Sequence, residues 1–212
     1  MKLLVATRSP GKQREMTRTL AAAGHHALFP DDVGVAESLA EASLETELTF
    51  EGNARRKAEY FSRLTGLATV ADDSGLEVLA LGGAPGIRSR RWAGAAGTAA
   101  EVDEANNREL LRRLAGAPPP RRGARYRCAL AFLLAPGGAS DLFAGSCSGH
   151  ILEAPRGSGG FGYDPLFLSD ELGLTFAEAT DEQKDAVSHR GRALARLSAH
   201  LGRGALRAGS PL

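Results

Sequence analysis

The chain has 212 residues, enough for one domain, or one domain with a lobe, to bury a sizeable core. Hydrophobic residues make up 43% and charged residues 24%, and 26 basic against 25 acidic side chains leave a formal charge of +1. That balance speaks against a protein that coats nucleic acid or a membrane surface, so any anion site must be local.

The apolar run before Arg8 is too short for a signal peptide or a membrane span, which predicts a cytoplasmic protein. Residues 3–6 read as a strand, followed by Thr-Arg-Ser-Pro-Gly and a helix over residues 12–23 that ends at Gly24. Thr49 opens a second helix, with Ala54, Ala58 and Phe61 on one side and Gly66 closing it. A strand is expected over residues 67–71, then a second apolar run over 76–81 that ends in Gly-Gly-Ala-Pro-Gly. Thr98 and Glu101 have capping-box spacing and open a helix carrying Leu110, Leu111 and Leu114. The prolines 118–120 beyond it are the best position for a lobe boundary. Alternation from Arg125 to Ala135 and a return run over 142–147 predict a hairpin turned by Pro136, Gly137 and Gly138. Cys128 and Cys147 fall in these runs without metal-ligand spacing and read as buried thiols. A glycine-rich loop over residues 156–165 precedes a short strand at 166–168, and a last helix carries Val187, Leu194, Leu197 and Leu201. The pattern predicts an α/β chain with a mixed sheet.

The segment Ala-Asp-Asp-Ser-Gly, residues 71–75, ends an apolar strand in two carboxylates, which is costly unless water or a cation meets them. In extended chain Asp72 and Asp73 point to opposite faces, so they do not form a proton-sharing dyad. Gly75 would let the chain turn where ligands collect at a strand end. Taken alone, the segment is a turn. Residues 7–12, between strand and helix, suit a phosphate held by backbone N–H groups and the helix dipole, but they are not a Walker A loop. Lys57 and Lys184 would add charge, although singly each reads as a solvated lysine. Glu45, among Glu41 and Glu47, would join Asp73 as an oxygen ligand for a hard cation. The glycine loop reads equally as flexible chain or as an aromatic platform for a base. Ser188 is positioned to cap a new helix start, and Ser188-His189-Arg190 offers donors for a base edge.

Together, LLVATRSPGKQREM, LTFEGNARRKAEY, ATVADDSGLEVLALGGAPGIRSRR, GSGGFGYDPLF and KDAVSHRGRAL resemble, in order and spacing, the inosine triphosphate pyrophosphatase family, from about Lys2 to Leu201. The resemblance implies a mixed twisted sheet flanked by helices, in an elongated two-lobed fold with a central cleft. Residues 1–201 would form the catalytic domain and 202–212 a mobile tail. It implies a homodimer that uses Mg²⁺ to hydrolyse purine nucleoside triphosphates such as ITP, dITP and XTP to monophosphate and pyrophosphate. It casts Asp73 as general base and metal ligand, Glu45 as second metal ligand, and Ser74 as a substrate contact. Thr7, Arg8, Ser9, Pro10, Gly11, Lys12 and Lys57 match the triphosphate-binding set. Phe161, Gly162, Tyr163, Asp164, Lys184, His189 and Arg190 match the base and sugar pocket. Ser9 stands where the family commonly has Asn, and Pro10 removes a backbone donor, so triphosphate binding should weaken unless Arg8 compensates. The arginine-rich segment over residues 87–92 reads as solvated or as part of the dimer surface. Two rivals remain: a pyrophosphatase of pyrimidine or modified nucleotides of the Maf-like kind, and a nucleotide sensor without catalysis.

Overall fold

The first apolar run folds as strand β1 (Lys2–Val5), in which Leu3, Leu4 and Val5 are all fully buried. Three successive buried side chains require cover on both faces, the pattern of a parallel strand between helices. β1 pairs in parallel with β2 (His26–Leu28) on one side and β3 (Thr69–Val78) on the other. The six-stranded order is β2-β1-β3-β4-β5-β6, with β4 (Gly123–Leu133), β5 (Asp141–Ile151) and β6 (Phe167–Ser169). β5 and β6 run antiparallel, so the sheet is mixed, as the sequence predicts. This computed structural model describes residues 1–208, with side chains described to residue 203.

Helix α1 (Pro10–Ala22) starts two residues before the expected Lys12, because Pro10 at the first helical position brings a pre-set φ and lacks only an N–H that would have no partner there. Helix α2 (Phe50–Thr65) is capped by the Thr49 hydroxyl, which accepts from the Gly52 N–H, and is closed by Gly66 at φ 71°. The Thr98–Glu101 capping box opens α3 (Ala99–Arg113). The last helix of the sequence reading is two. α4 (Asp181–Val187) ends at Ser188, whose backbone is extended, and α5 (His189–Ala208) follows at once. Val187 therefore belongs to α4. α5 continues past Gly202, where the sequence reading begins the tail, and residues 209–212 lie outside the described residues.

The reading of residues 71–75 as a strand end is corrected: β3 runs without a break from Thr69 to Val78. Gly75 serves close approach rather than a turn. A Cβ there would collide with the Gly86 carbonyl oxygen and come within 2.5 Å of Ser89 Oγ. Ser89 Oγ accepts from the Leu76 N–H at 2.9 Å and donates to Gly86 O at 2.6 Å, so the backbone of 86–89 lies hard against β3. Within the arginine-rich segment 87–92, Ser89 is only 8% exposed, while Arg88, Arg90 and Arg91 are exposed.

Two compact units share the chain. The first comprises Met1–Asp73, Ala129–Gly145 and the chain from Arg190 onward; the second comprises Ser74–Cys128 and Ser146–His189. In the first, Met16 and Leu20 of α1, Ala54 and Ala58 of α2, and Leu194 and Leu197 of α5 are fully buried. The second has a core of its own, in which Leu76, Leu110, Cys147, Leu166, Phe167 and Phe176 form one cluster. Prolines 118–120 do not mark a boundary; they lie inside the second unit, where Pro119–Arg121 forms a single 3₁₀ turn. Cys128 and Cys147 are buried free thiols, as expected.

Candidate active site

The alternation of β3 separates its two carboxylates. Asp72 is buried on one face, where Lys12 Nζ lies 3.0 Å from Oδ2 and the Arg190 guanidinium donates to the same oxygen at 3.2 Å through Nε and Nη2. Arg190 also pairs with Glu15, itself buried on α1. Burial opposes the Asp72 charge, but Lys12, Arg190 and Lys57 outweigh it and hold the carboxyl far below the usual carboxylate range. Asp72 is thus the permanent anion that anchors two cations. Arg190, read from sequence as a donor to a base edge, is instead 2% exposed and engaged by carboxylates of the first unit.

Asp73 faces a different set. Asn53 Nδ2 donates to its Oδ2 at 2.9 Å, and Lys57 Nζ lies 3.6 Å from its Oδ1. Lys57 donates to Glu45 Oε1 at 2.8 Å, so the two carboxylates share one ammonium. Burial works against the Lys57 charge, yet Glu45, Asp73 and Asp72 together raise its pKa above the ordinary lysine value. Asp73 moves the opposite way from Asp72. Burial raises its pKa, the nearby Glu45 charge adds to this, and Lys57, Lys12 and Asn53 only partly oppose it. Geometry gives the reason: Lys57 sits closer to Glu45 than to Asp73.

Asp73 and Glu45 are hard oxygen donors, and the anionic form of Asp73 carries a burial cost that its lysines leave partly uncompensated. A divalent cation such as Mg²⁺ fits that donor set. Among the described residues no group of three or more His, Cys, Asp or Glu side chains is gathered to hold a metal, so the protein would supply two carboxylates and a substrate the remaining oxygens.

In the loop before α1, the Ser9 N–H donates to Thr7 Oγ1 at 3.2 Å, and Gln13 Nε2 donates to the Thr7 carbonyl at 3.2 Å. Ser9 occupies the N-cap position without a side-chain cap bond, and Gly11 is buried beside Pro10. Arg8 is engaged within its own unit. Its guanidinium is bidentate on Glu41 at 2.8 Å through Nε and Nη2, and also reaches Asp31 at 2.6 Å and Val35 O at 3.0 Å. Four bonds to its own unit hold it as a loop clamp.

Of the residues that the sequence resemblance casts as a base and sugar pocket, all but Arg190 fall in the second unit. Asp164, 3% exposed, accepts from Lys184 Nζ and from the Phe161 N–H at 2.8 Å through Oδ2, and from the Tyr126 hydroxyl at 3.4 Å through Oδ1. The Lys184 ammonium lies 4.9 Å from the Phe161 ring centre and 5.4 Å from that of Phe176. The His189 imidazole stacks on Tyr126 with centroids 4.6 Å apart and planes 6° from parallel. The glycine loop is held rather than flexible: Gly159 N–H donates to Ala177 O at 3.0 Å, and a Cβ on Gly160 would strike Asp164. Tyr163 is no platform. Its ring lies in the core and its hydroxyl donates to the Ser89 carbonyl at 2.9 Å. Ser74, partly buried on β3, is the first residue of this unit.

Sequence reasoning overlooks Asn53, Glu15 and the ring partner of Tyr126, and it leaves the roles of Asp72 and Asp73 undivided. Asn53 had a signal, since it stands one helical turn before Lys57 and so on the same face of α2. Tyr126 sits in an alternating run that announces a core strand and says nothing of its ring partner.

Over residues 3–200 the chain matches the Ham1 family. It belongs to that family. Ham1-family resemblance extends along almost the whole chain: a dITP/XTP pyrophosphatase of Geobacter sulfurreducens is 47% identical over 205 residues, covering 95% of this chain and 96% of its own. Another of that name, from Anaeromyxobacter sp. (strain Fw109-5), is 44% identical and covers 96% and 97%. The solved structure of a HAM1 protein from Coxiella burnetii, 34% identical, covers 96% of this chain and 99% of its own with a TM-score of 0.81. The Ham1-family match thus takes in the whole of the second unit and most of the first.

Proposed function

We propose that this chain hydrolyses non-canonical purine nucleoside triphosphates, ITP, dITP and XTP, to the monophosphate and pyrophosphate, clearing them from the nucleotide pool. The observation that carries the reading is the cluster of Asp73, Asn53, Lys57 and Glu45: two carboxylates bridged by one buried ammonium, at 2.8 and 3.6 Å. Its relatives named dITP/XTP pyrophosphatase support the same substrate class.

Each residue then has a task. Lys12 and Lys57 bring positive charge to the phosphates, and Lys12 keeps its orientation because Asp72 holds it. Asp73, with one oxygen fixed by Asn53, orients water and accepts its proton, and burial makes it a better base than an ordinary aspartate. Mg²⁺ held by Asp73 and Glu45 would neutralise charge on the phosphate oxygens. Thr7, Ser9, Pro10 and Gly11 shape the loop that receives the phosphates, and Ser74 adds a hydroxyl. On the base side, Phe161 and Gly162 form the platform, Asp164 and Lys184 fix it, and His189 addresses the purine 6-oxo group. An adenine amino group in that place leaves a buried donor unpaired, which costs about 1–3 kcal/mol and gives a tenfold to hundredfold preference. A cytoplasmic homodimer with no nucleic-acid or membrane partner completes the reading; no helix among the described residues is long and apolar enough to cross a membrane.

Pyrophosphate release measured with ITP, dITP, XTP, ATP, GTP and CTP tests this. ITP, dITP and XTP should turn over fastest, chelation of divalent ions should stop release, and Asp73→Asn should lower kcat by about 10²–10⁴-fold. Faster turnover of CTP, or undiminished release by Asp73→Asn, rejects the assignment.

A further inference from the structure

Phe161 and Tyr163 flank Gly162, whose φ of 63° lies in the left-handed region open to glycine. Helix α3 grips that residue from both sides. The Gly162 N–H donates to Asp103 Oδ2 at 2.7 Å, and the Gly162 carbonyl accepts from Asn107 Nδ2 at 2.9 Å. Asp103 and Asn107 are four residues apart, on one face of α3, so a single helical turn presents an acceptor and a donor to one glycine. The grip is itself braced: Arg90 Nη1 donates to Asp103 Oδ1 at 2.9 Å, one residue after Ser89, whose carbonyl takes the Tyr163 hydroxyl. Phe161 is then tied on its other side by its N–H to Asp164.

Resting on the functional reading above, we propose that Asp103 and Asn107 are positioning residues for the purine platform. Their hydrogen bonds to Gly162 and Arg90 all lie inside the second unit. They set the peptide plane after Phe161 and hence the direction in which its ring is presented. Loss of the grip should weaken recognition of the nucleoside half of a substrate while leaving phosphate binding and the hydrolytic step intact. A residue that merely supported folding would not separate these quantities.

Steady-state kinetics on the full chain with ITP, beside inhibition by tripolyphosphate, which has phosphates and no base, make the test. Asn107→Asp replaces the donor with an acceptor of the same shape. It should raise KM for ITP about tenfold, keep kcat within about twofold, and leave tripolyphosphate inhibition unchanged. Asp103→Asn retains an oxygen for the Gly162 N–H and should raise KM by only about threefold. Should Asn107→Asp fail to fold, Asn107→Ser must show the same separation. An unchanged KM in the folded variants, or an equal weakening of tripolyphosphate inhibition, overturns the proposal while the parent still hydrolyses ITP. A parent inactive on ITP takes down the functional reading and this one with it.

Discussion

The Tyr163 hydroxyl donates to the Ser89 carbonyl from a position only 4% exposed. Burial, and then the charge of Asp103, raise its pKa above the ordinary 10.0. The unfolded chain therefore loses this proton more readily than the folded one. The stabilisation is whole below pH 10 and shrinks as pH rises towards the folded-state value. Tyr163→Phe should cost about 1 kcal/mol at pH 8, for one lost hydrogen bond, and should lose less further stability than the parent between pH 8 and pH 11. Urea denaturation at the two pH values reads both, and an equal or steeper decline in the variant would contradict the account. Residues such as Tyr163 and Arg8 mark where sequence reading stops. Their types suit a binding site, but their partners, Ser89 for one and Glu41 and Asp31 for the other, lie tens of residues away along the chain. Asp73 and Lys57 were legible because recurring motifs carry them, and Glu45 because it stands among the acidic residues Glu41 and Glu47. The two aspartates were read only as facing opposite ways, and which of them meets Lys12 and Arg190 required the fold.

At the scale of elements, capping made α2 and α3 readable. Thr49, Gly66, Thr98 and Glu101 act where local chemistry says they must. β3 defeated the same approach, because Asp, Asp, Ser and Gly in succession carry turn chemistry and low strand propensity. Tertiary contacts overrode that preference: Lys12, Arg190, Asn53 and Lys57 meet the carboxylates, and Ser89 meets the Leu76 N–H. Gly75 is the residue on which this depends. Gly75→Ala should destabilise by about 1–3 kcal/mol, the usual cost of overpacking, since the obstructing Gly86 oxygen is backbone and cannot rotate aside. A thermal melt compared with the parent measures it, and an unchanged midpoint would show that residues 86–89 yield freely.

For the whole molecule, the residues of the proposed function sort by unit. Asp73, Glu45, Asn53, Lys12 and Lys57 belong to the first, and Phe161, Asp164, Lys184 and His189 to the second. The chain passes between units inside β3, β4 and β5 and again at the start of α5. Early segments thus bury their apolar surface against late ones: α1 and α2 share a unit with Leu194 and Leu197, and α3 shares one with Phe167 and Phe176. A fragment of residues 1–128 should show no cooperative unfolding transition by circular dichroism, and a sharp one would refute this dependence.

That threading also limits how such an enzyme can be re-engineered. Because the second unit, which carries the proposed base pocket, is written in two separate stretches of the gene, 74–128 and 146–189, no single cassette can exchange it. A chimera needs four junctions, three of them within strands, where a slip of one residue turns every side chain to the wrong face.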